Sequence, residues 1–243
     1  MSMRTTLARE ISATGTALHS GVIVRMTLSP AASGAGVVFC RSDEGGAMIP
    51  ARYDAVTETN LGTVIAAGPV KIGVIEHLMA AVAGAGIDDL LVTLDGPEPP
   101  ILDGDALSYF ALLEQAGNKR QPGMRHAIKL KQPVSVAIKD ARITLSPSNT
   151  PEYFYELDYS NTKAIGKQSF GINFTRENFA KEIAPARTFG FLHELEMLNK
   201  MGLGRGASLE NTLAVEGDIG IFRMRTPVRR HPADRLGKFA ENP

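Results

Sequence analysis

The chain has 243 residues, long enough for two modest domains with hydrophobic cores, and its 26 Lys and Arg residues equal its 26 Asp and Glu residues. This balance argues against a nucleic-acid-binding protein, which needs a basic excess or a basic face, and no apolar run has the length of a membrane-spanning helix. The single cysteine, Cys40, excludes an internal disulfide and is typical of a reducing compartment, so we expect a cytoplasmic protein without a nucleic-acid partner.

Short strands alternate with a few helices along the chain. Strand-like patterns predict strands at residues 22–28, 36–40, 90–94, 127–130 and 141–145. Apolar residues at helical spacing predict helices at residues 74–84, 106–115, 176–183 and 191–201. The polar, turn-rich residues 116–124 predict a linker between two halves. A strand, helix and strand order in both halves is compatible with an α+β fold.

The predicted helix at residues 74–84 carries an adjacent Glu76 and His77 on an otherwise apolar element. A neutral imidazole can bind a metal ion, and a carboxylate beside it can take a proton from an attacking water. The pair could therefore supply half of a hydrolytic site. The alternative is a solvated helix edge or a histidine that is hydrogen-bonded in the core.

A tight loop is predicted at residues 95–104, which read DGPEPPILDG and follow a predicted strand. The glycines, prolines and carboxylates are too frequent for a regular element, and they are typical of a shaped turn.

This helix and loop together resemble the N-terminal zinc-binding signature of the UDP-3-O-acyl-N-acetylglucosamine deacetylases, which act in lipid A synthesis. Three further segments resemble family motifs in the same order: residues 12–21, residues 185–191 (PARTFGF) and residues 202–211 (GLGRGASLEN). The resemblance runs from about Thr6 to Val215.

The resemblance implies a fold of two similar α+β domains, each a small sheet packed on helices, with the active site in the cleft between them. Residues 1–120 would form the N-terminal domain with the first zinc-site motif. Residues 126–243 would form a C-terminal domain that is incomplete relative to the family.

The resemblance also implies roles for individual residues. Glu76 matches the general base and His77 the first zinc ligand. Thr188 matches the residue that donates a hydrogen bond to the oxyanion. His19 matches a position near the active site and is predicted to bind the substrate together with Phe189 and Phe191, which would line the sugar or acyl pocket. The expected cofactor is Zn²⁺, although iron suits a similar ligand set.

The tail departs from the family, whose motif VRHKxLD supplies a His and an Asp as the other two zinc ligands. Residues 228–238 read VRRHPADRLGK, so that Arg230 takes the place of the ligand His and Asp234 that of the ligand Asp. A shifted pair, His231 and Asp234, is three residues apart and could lie on one face of a helix. These two residues complete the predicted metal-ligand set.

The arginines of this tail allow three interpretations: truncation or a frameshift, a phosphate-binding basic patch, or ordinary surface charge.

Two functions follow as hypotheses. The first is a monomeric zinc amidohydrolase that releases acetate from a UDP-linked, 3-O-acylated N-acetylglucosamine. The alternative is a catalytically inactive fragment or pseudoenzyme, which keeps the fold and binds a sugar nucleotide or a partner protein.

Overall fold

The structure, a computed structural model, describes residues 2–217 and 219–221. Its strands are β1 (Met3–Leu7), β2 (Ile11–Thr16), β3 (Ile23–Pro30), β4 (Val37–Arg41), β5 (Ala47–Pro50), β6 (Val56–Glu58), β7 (Val64–Ala67), β8 (Val70–Ile72), β9 (Leu90–Leu94), β10 (Asn118–Met124), β11 (Val134–Ile138), β12 (Ala141–Leu145), β13 (Glu152–Tyr159), β14 (Gly166–Asn173), β15 (Phe189–Phe191), β16 (Leu213–Glu216) and β17 (Ile219–Ile221). Its helices are α1 (Glu76–Ala85), α2 (Leu107–Ala116), α3 (Arg176–Asn178), which a wider π turn continues over Phe179–Ile183, and α4 (Leu195–Lys200).

The chain forms a mixed α/β structure of small sheets and few helices. The largest sheet has the strand order β2-β3-β9-β4-β5, in which only β4 and β9 are parallel neighbours. The other sheets are β6-β7-β8, β1-β10, β11-β12, β13-β14 and β15-β16-β17. Among the described residues, no helix has the length and apolar character needed to cross a membrane.

The main core lies between the five-stranded sheet and the pair α1 and α2. Alternate residues of β3 and β9 point into this core, as the two-residue period of a strand requires. The helices add buried residues at helical spacing, which are Leu78, Ala81, Val82 and Ala85 from α1 and Tyr109, Phe110, Leu113 and Ala116 from α2. The apolar spacing that predicted these two helices is therefore the pattern that buries them.

A segment from the second half of the chain enters the same core. Phe179 and Ala184 are both buried there, and the Phe179 ring lies against the α1 backbone at Gly84, where a Cβ would overlap the ring. Arg176 donates to the carbonyl of Ala85 at 2.8 Å and forms an ion pair with Glu114. These contacts fix residues 176–184 against α1 and α2.

The hairpin of β11 and β12 is apolar on one face only. Val136 pairs with Ile143 and Val134 with Leu145, while Ser135 pairs with Thr144 on the opposite face. The apolar face is exposed, and Ile138 and Ile143 each retain 70% of their accessible surface.

Several sequence predictions are confirmed by these elements. The predicted strands at residues 22–28, 36–40, 90–94 and 141–145 correspond to β3, β4, β9 and β12, and all four predicted helical regions contain helical turns.

Two predictions are wrong. Residues 127–130 form no strand, and the predicted linker at residues 116–124 ends α2 and then forms β10, which pairs with β1. Strand β10 is polar because it lies at the surface, where six of its seven residues are exposed. Its backbone hydrogen bonds to β1 define the strand.

Candidate functional site

Glu76 and His77 lie at the start of α1, where the chain enters the helix through a residue with unusual backbone geometry. Val74 has a positive φ of 55°, a conformation that β-branched residues rarely adopt, and it turns the chain directly before the helix. The negative charge of Glu76 in the first turn is favourable beside the positive end of the helix dipole. Its Oε2 accepts a hydrogen bond from the backbone N–H of Thr63 at 2.9 Å, which fixes the orientation of the carboxylate.

His77 provides an unpaired polar atom inside the protein. Its Nδ1 is buried and has no hydrogen-bond partner among the described residues. Burial lowers the pKa of His77, and this effect outweighs the opposing charges of Glu76 and Asp105. The imidazole is therefore neutral at pH 7, which is the form that binds metal ions.

The described part of the chain contains no group of three or more His, Cys, Asp or Glu residues arranged to hold a metal ion. The other two predicted ligands, His231 and Asp234, lie outside the described residues.

The turn that carries His19 follows β2 and is held by a buried carboxylate. Glu98, only 6% exposed, accepts the backbone N–H of His19 at 2.8 Å and that of Ser20 at 2.9 Å. The His19 ring bridges two other loops, since its Nε2 is 2.9 Å from the carbonyl oxygen of Leu61 and its Nδ1 is 3.4 Å from the backbone nitrogen of Gly204. His19 thus lies where three segments of the chain meet.

The loop at residues 95–104 is tightly held, as its composition predicted. Ile101 donates to the carbonyl of Thr16 at 2.8 Å, and Gly73 donates to the carbonyl of Pro97 at 3.0 Å. The buried Tyr109 hydroxyl donates to the carbonyl of Pro100, and burial raises the pKa of Tyr109, so that this donor keeps its proton.

Close backbone contacts join this loop to the two later motifs. Gly104 has a φ of 77° and lies against the carbonyl of Asn211, where a Cβ would overlap it. The backbone N–H of Thr188 donates to the carbonyl of Gly104 at 2.9 Å, and the N–H of Leu213 donates to the carbonyl of Thr188 at 2.9 Å. The glycine and the two hydrogen bonds therefore determine where Thr188 lies.

An apolar cavity of about 370 Å³ is lined by both His19 and Thr188. Its lining includes four of the predicted site residues, which are His19, Thr188, Phe189 and Phe191. Phe189 and Phe191 pack edge to face with ring centroids 5.9 Å apart, and Tyr159 packs against Phe189 at the same centroid distance. Most of the remaining lining is aliphatic, from Leu18, Leu61, Leu192, Leu195, Leu198 and Leu209.

Glu76 and His77 are not part of this lining. Glu76 is connected to it through Thr63, which lies two residues from the cavity-lining Leu61.

Sequence reasoning did not identify Leu61, which lines the cavity, or Tyr159, which packs against the lining residues Phe189 and Phe191. Leu61 is 42 residues from its partner His19, and no local pattern could indicate such a contact. The alternation of aromatic residues in β13 was a signal for Tyr159, because it places Tyr153, Tyr155 and Tyr159 on one face of that strand.

Comparisons with known proteins agree with these motifs. The chain matches a family model described as LpxC, UDP-3-O-acyl N-acetylglycosamine deacetylase, over residues 4–231.

Curated proteins named UDP-3-O-acyl-N-acetylglucosamine deacetylase are similar over most of the chain. The Myxococcus xanthus protein is 43% identical over 239 residues, which are 96% of this chain and 76% of the relative. The Aliarcobacter butzleri protein is 40% identical over 212 residues, 87% of this chain and 70% of the relative. The Syntrophotalea carbinolica protein is 38% identical over 247 residues, 99% of this chain and 79% of the relative.

Proposed function

Since the chain belongs to the family of UDP-3-O-acyl-N-acetylglucosamine deacetylases, we propose that it hydrolyses the N-acetyl group of UDP-3-O-acyl-N-acetylglucosamine and releases acetate in lipid A biosynthesis. The observation that carries this proposal is the apolar cavity, in which His19, Thr188, Phe189 and Phe191 come together from segments far apart in the sequence. Its volume of about 370 Å³ lies within the usual range of small-molecule sites.

The cavity suits the acyl group of such a substrate. Its leucine side chains provide an apolar wall, and burying an acyl chain against that wall removes apolar surface from water. Thr188 is one of the polar residues of the lining, and the acylated sugar is proposed to lie with its polar groups towards it. The two phenylalanines are proposed to contact the sugar or the first part of the acyl chain.

The proposed cofactor is Zn²⁺. The buried Nδ1 of His77, which lacks a hydrogen-bond partner in the described part of the chain, fits a metal ligand, and burial keeps this imidazole neutral. His231 and Asp234 are proposed as the other two ligands. When bound, zinc supplies Lewis-acid polarisation of the scissile carbonyl.

Each remaining step is assigned to a residue of this chain. The Glu76 carboxylate, oriented by the Thr63 N–H, takes a proton from the attacking water. The Thr188 hydroxyl donates a hydrogen bond to the carbonyl oxygen as negative charge develops on it. The hydrogen bond between the backbone of Thr188 and Gly104 holds this donor in place, so that little reorganisation is needed during the reaction.

The domain organisation belongs to the same proposal. Residues 1–120 and 126–243 would form two similar α+β domains with the active site in the cleft between them. The free thiol of Cys40 is consistent with a reducing compartment and supports a cytoplasmic location. A monomer is proposed as the working unit.

An inactive protein that binds a sugar nucleotide or a partner protein is the second candidate. The observation that favours it is Arg230, which takes the position of a family zinc ligand. A guanidinium stays protonated at every ordinary pH and would repel a metal ion.

Metal analysis separates these two candidates. The purified chain is stripped with a chelator, reconstituted with zinc and compared with His77→Ala and with His126→Ala, a control at an exposed histidine. We expect about one zinc ion per chain in the wild type and the control, and loss of this ion in His77→Ala. Absence of tight zinc in the wild type would contradict the zinc-dependent mechanism and favour the inactive protein.

A further inference from the structure

The loop at residues 61–63 connects the cavity to the proposed general base. At one end, the carbonyl oxygen of Leu61 is 2.9 Å from Nε2 of His19. At the other end, the backbone N–H of Thr63 donates to Oε2 of Glu76 at 2.9 Å. Only Gly62 lies between the two hydrogen-bonded residues.

The protonation of the His19 ring follows from its two partners. A carbonyl oxygen only accepts hydrogen bonds, so the proton must be on Nε2, which donates to Leu61. The backbone N–H of Gly204 then donates to the unprotonated Nδ1 over a longer distance of 3.4 Å. Both ring nitrogens are therefore hydrogen-bonded to the protein backbone, and the imidazole joins two loops.

The turn that carries His19 is itself held by backbone hydrogen bonds. The Glu98 carboxylate holds the backbone N–H groups of His19 and Ser20, and the carbonyl oxygen of His19 accepts from the N–H of Arg205 at 3.2 Å. Gly206, next in the chain, donates to the carbonyl of Leu18 at 2.9 Å.

The loop is less well supported than the turn that carries His19. Leu61 has a positive φ of 58°, which is unfavourable for a residue with a Cβ, and its side chain is 53% exposed. A strained conformation persists only where surrounding contacts maintain it. His19 contributes a side-chain hydrogen bond to the Leu61 carbonyl, which supports this conformation.

From these contacts we propose that His19 is a positioning residue: it holds the loop at residues 61–63 so that the Thr63 N–H orients the Glu76 carboxylate. This inference rests on the proposed function, in which Glu76 is the general base. His19 acts through the loop and not by contact with the reacting atoms. Leu61 also lines the cavity, so the same loop links occupation of the cavity to the orientation of the base.

Two substitutions of His19 separate its two hydrogen bonds. In His19→Gln, the side-chain amide nitrogen reaches about as far as Nε2 and can still donate to Leu61. In His19→Asn, the shorter side chain reaches only the position of Nδ1 and leaves the Leu61 carbonyl without this donor. His126→Asn is the matched control at an exposed histidine.

The first readout is hydrogen exchange at the backbone amide of Thr63 in the full, metal-free chain, which requires no activity. We expect exchange to be about tenfold faster or more in His19→Asn and close to the wild-type rate in His19→Gln and His126→Asn. Amides of β3 and β9 report in the same experiment that the fold is intact. Unchanged exchange at Thr63 in a folded His19→Asn protein would overturn the proposal.

The second readout compares the effects of the substitutions on kcat and on KM in the zinc-loaded protein. His19→Asn is expected to lower kcat by about tenfold with a smaller change in KM, because the base is misaligned while most of the cavity lining is unchanged, and His19→Gln is expected to restore kcat. A rise in KM alone would show direct substrate binding by His19 and would contradict the positioning role. If the wild type releases no acetate, the proposed function fails, whereas the exchange of Thr63 still decides the role of His19.

Discussion

Single glycines determine how closely the site segments approach each other. Gly104 lies against the Asn211 carbonyl, and Gly206 lies against the Ala17 carbonyl, at distances that leave no room for a Cβ. These contacts connect the loop at residues 95–104 and the turn before His19 to the segment at residues 202–211. The glycines that carry the family resemblance thus have a physical role, because they allow segments far apart in the sequence to pack closely beside the cavity.

Gly104→Ala is expected to destabilise the protein more than Gly68→Ala. Both glycines have a positive φ, 77° and 59°, but only Gly104 has a backbone group in the space of the new methyl group. Gly68→Ala should therefore cost about 1 kcal/mol from backbone strain, whereas Gly104→Ala should cost about 2 kcal/mol more from the added clash. Urea unfolding measures both, and equal losses would contradict the close contact with Asn211.

His77 should make the metal-free protein less stable as the solution is acidified. Burial lowers the pKa of His77 in the folded chain, while the unfolded chain has the ordinary value of about 6.5. As the pH falls below about 6.5, the unfolded state binds a proton at His77 more readily than the folded state, so the free energy of unfolding decreases until the folded imidazole is also protonated.

This effect is measured by urea unfolding in the presence of a chelator at several pH values between about 5 and 7.5. His77→Gln should show a smaller loss of stability over this range than the wild type, and His126→Gln should behave like the wild type. The same pH dependence in His77→Gln and in the wild type would show that His77 does not cause it.

A short element from the second half of the chain packs into the core of the first half. Phe179 is buried against Gly84 of α1, and its ring also packs against Phe110 of α2 with centroids 5.5 Å apart. The glycine is therefore part of an interface between elements, although it lies inside a helix, where alanine is usually the better residue.

Gly84→Ala should destabilise the wild-type protein by about 1–3 kcal/mol, because the methyl group would overlap the Phe179 ring. In a Phe179→Ala background the ring is absent, and the same substitution should stabilise the helix by about 1 kcal/mol. A double-mutant cycle from thermal or urea unfolding gives the change of sign. An equal effect in both backgrounds would contradict the packing of Phe179 on Gly84.

These elements show what local patterns can predict. The apolar spacing of α1 and α2 was sufficient, because both helices bury one face against a sheet. Strand β10 was missed because its residues are polar and its conformation depends on hydrogen bonds to β1, more than 100 residues earlier in the chain. The composition of the loop at residues 95–104 indicated a tight turn, but not that Glu98 holds the backbone of His19, 79 residues away. The family motifs supplied the site residues, and the cavity depends on tertiary contacts that no local pattern contains.

The molecule as a whole has a well-packed core in its first half and an exposed apolar hairpin in its second. Val134, Val136, Ile138, Ile143 and Leu145 share the exposed face of the hairpin of β11 and β12. Isolated two-stranded hairpins are only marginally stable in water, so this region should contribute little to the global free energy of unfolding.

Ile143→Thr and Val92→Thr test this contrast, since both place Thr at a β-branched position in a strand. Ile143 is 70% exposed, and its replacement should change stability by less than about 0.5 kcal/mol while reducing the binding of an apolar dye. Val92 is fully buried, and the hydroxyl introduced there should cost about 1–3 kcal/mol. A large loss of stability in Ile143→Thr would show that this hairpin face is packed in solution.

The central claim is that this chain uses Glu76 to hydrolyse the acetamide of a UDP-linked, 3-O-acylated N-acetylglucosamine. The most direct measurement is acetate release from this substrate by the zinc-loaded wild type, Glu76→Gln and the exposed-site control Glu177→Gln. We predict acetate release by the wild type and the control, and a loss of about 100-fold or more in Glu76→Gln, since the amide cannot accept the proton. No release by a zinc-loaded wild type, or equal rates in the wild type and Glu76→Gln, would contradict this claim.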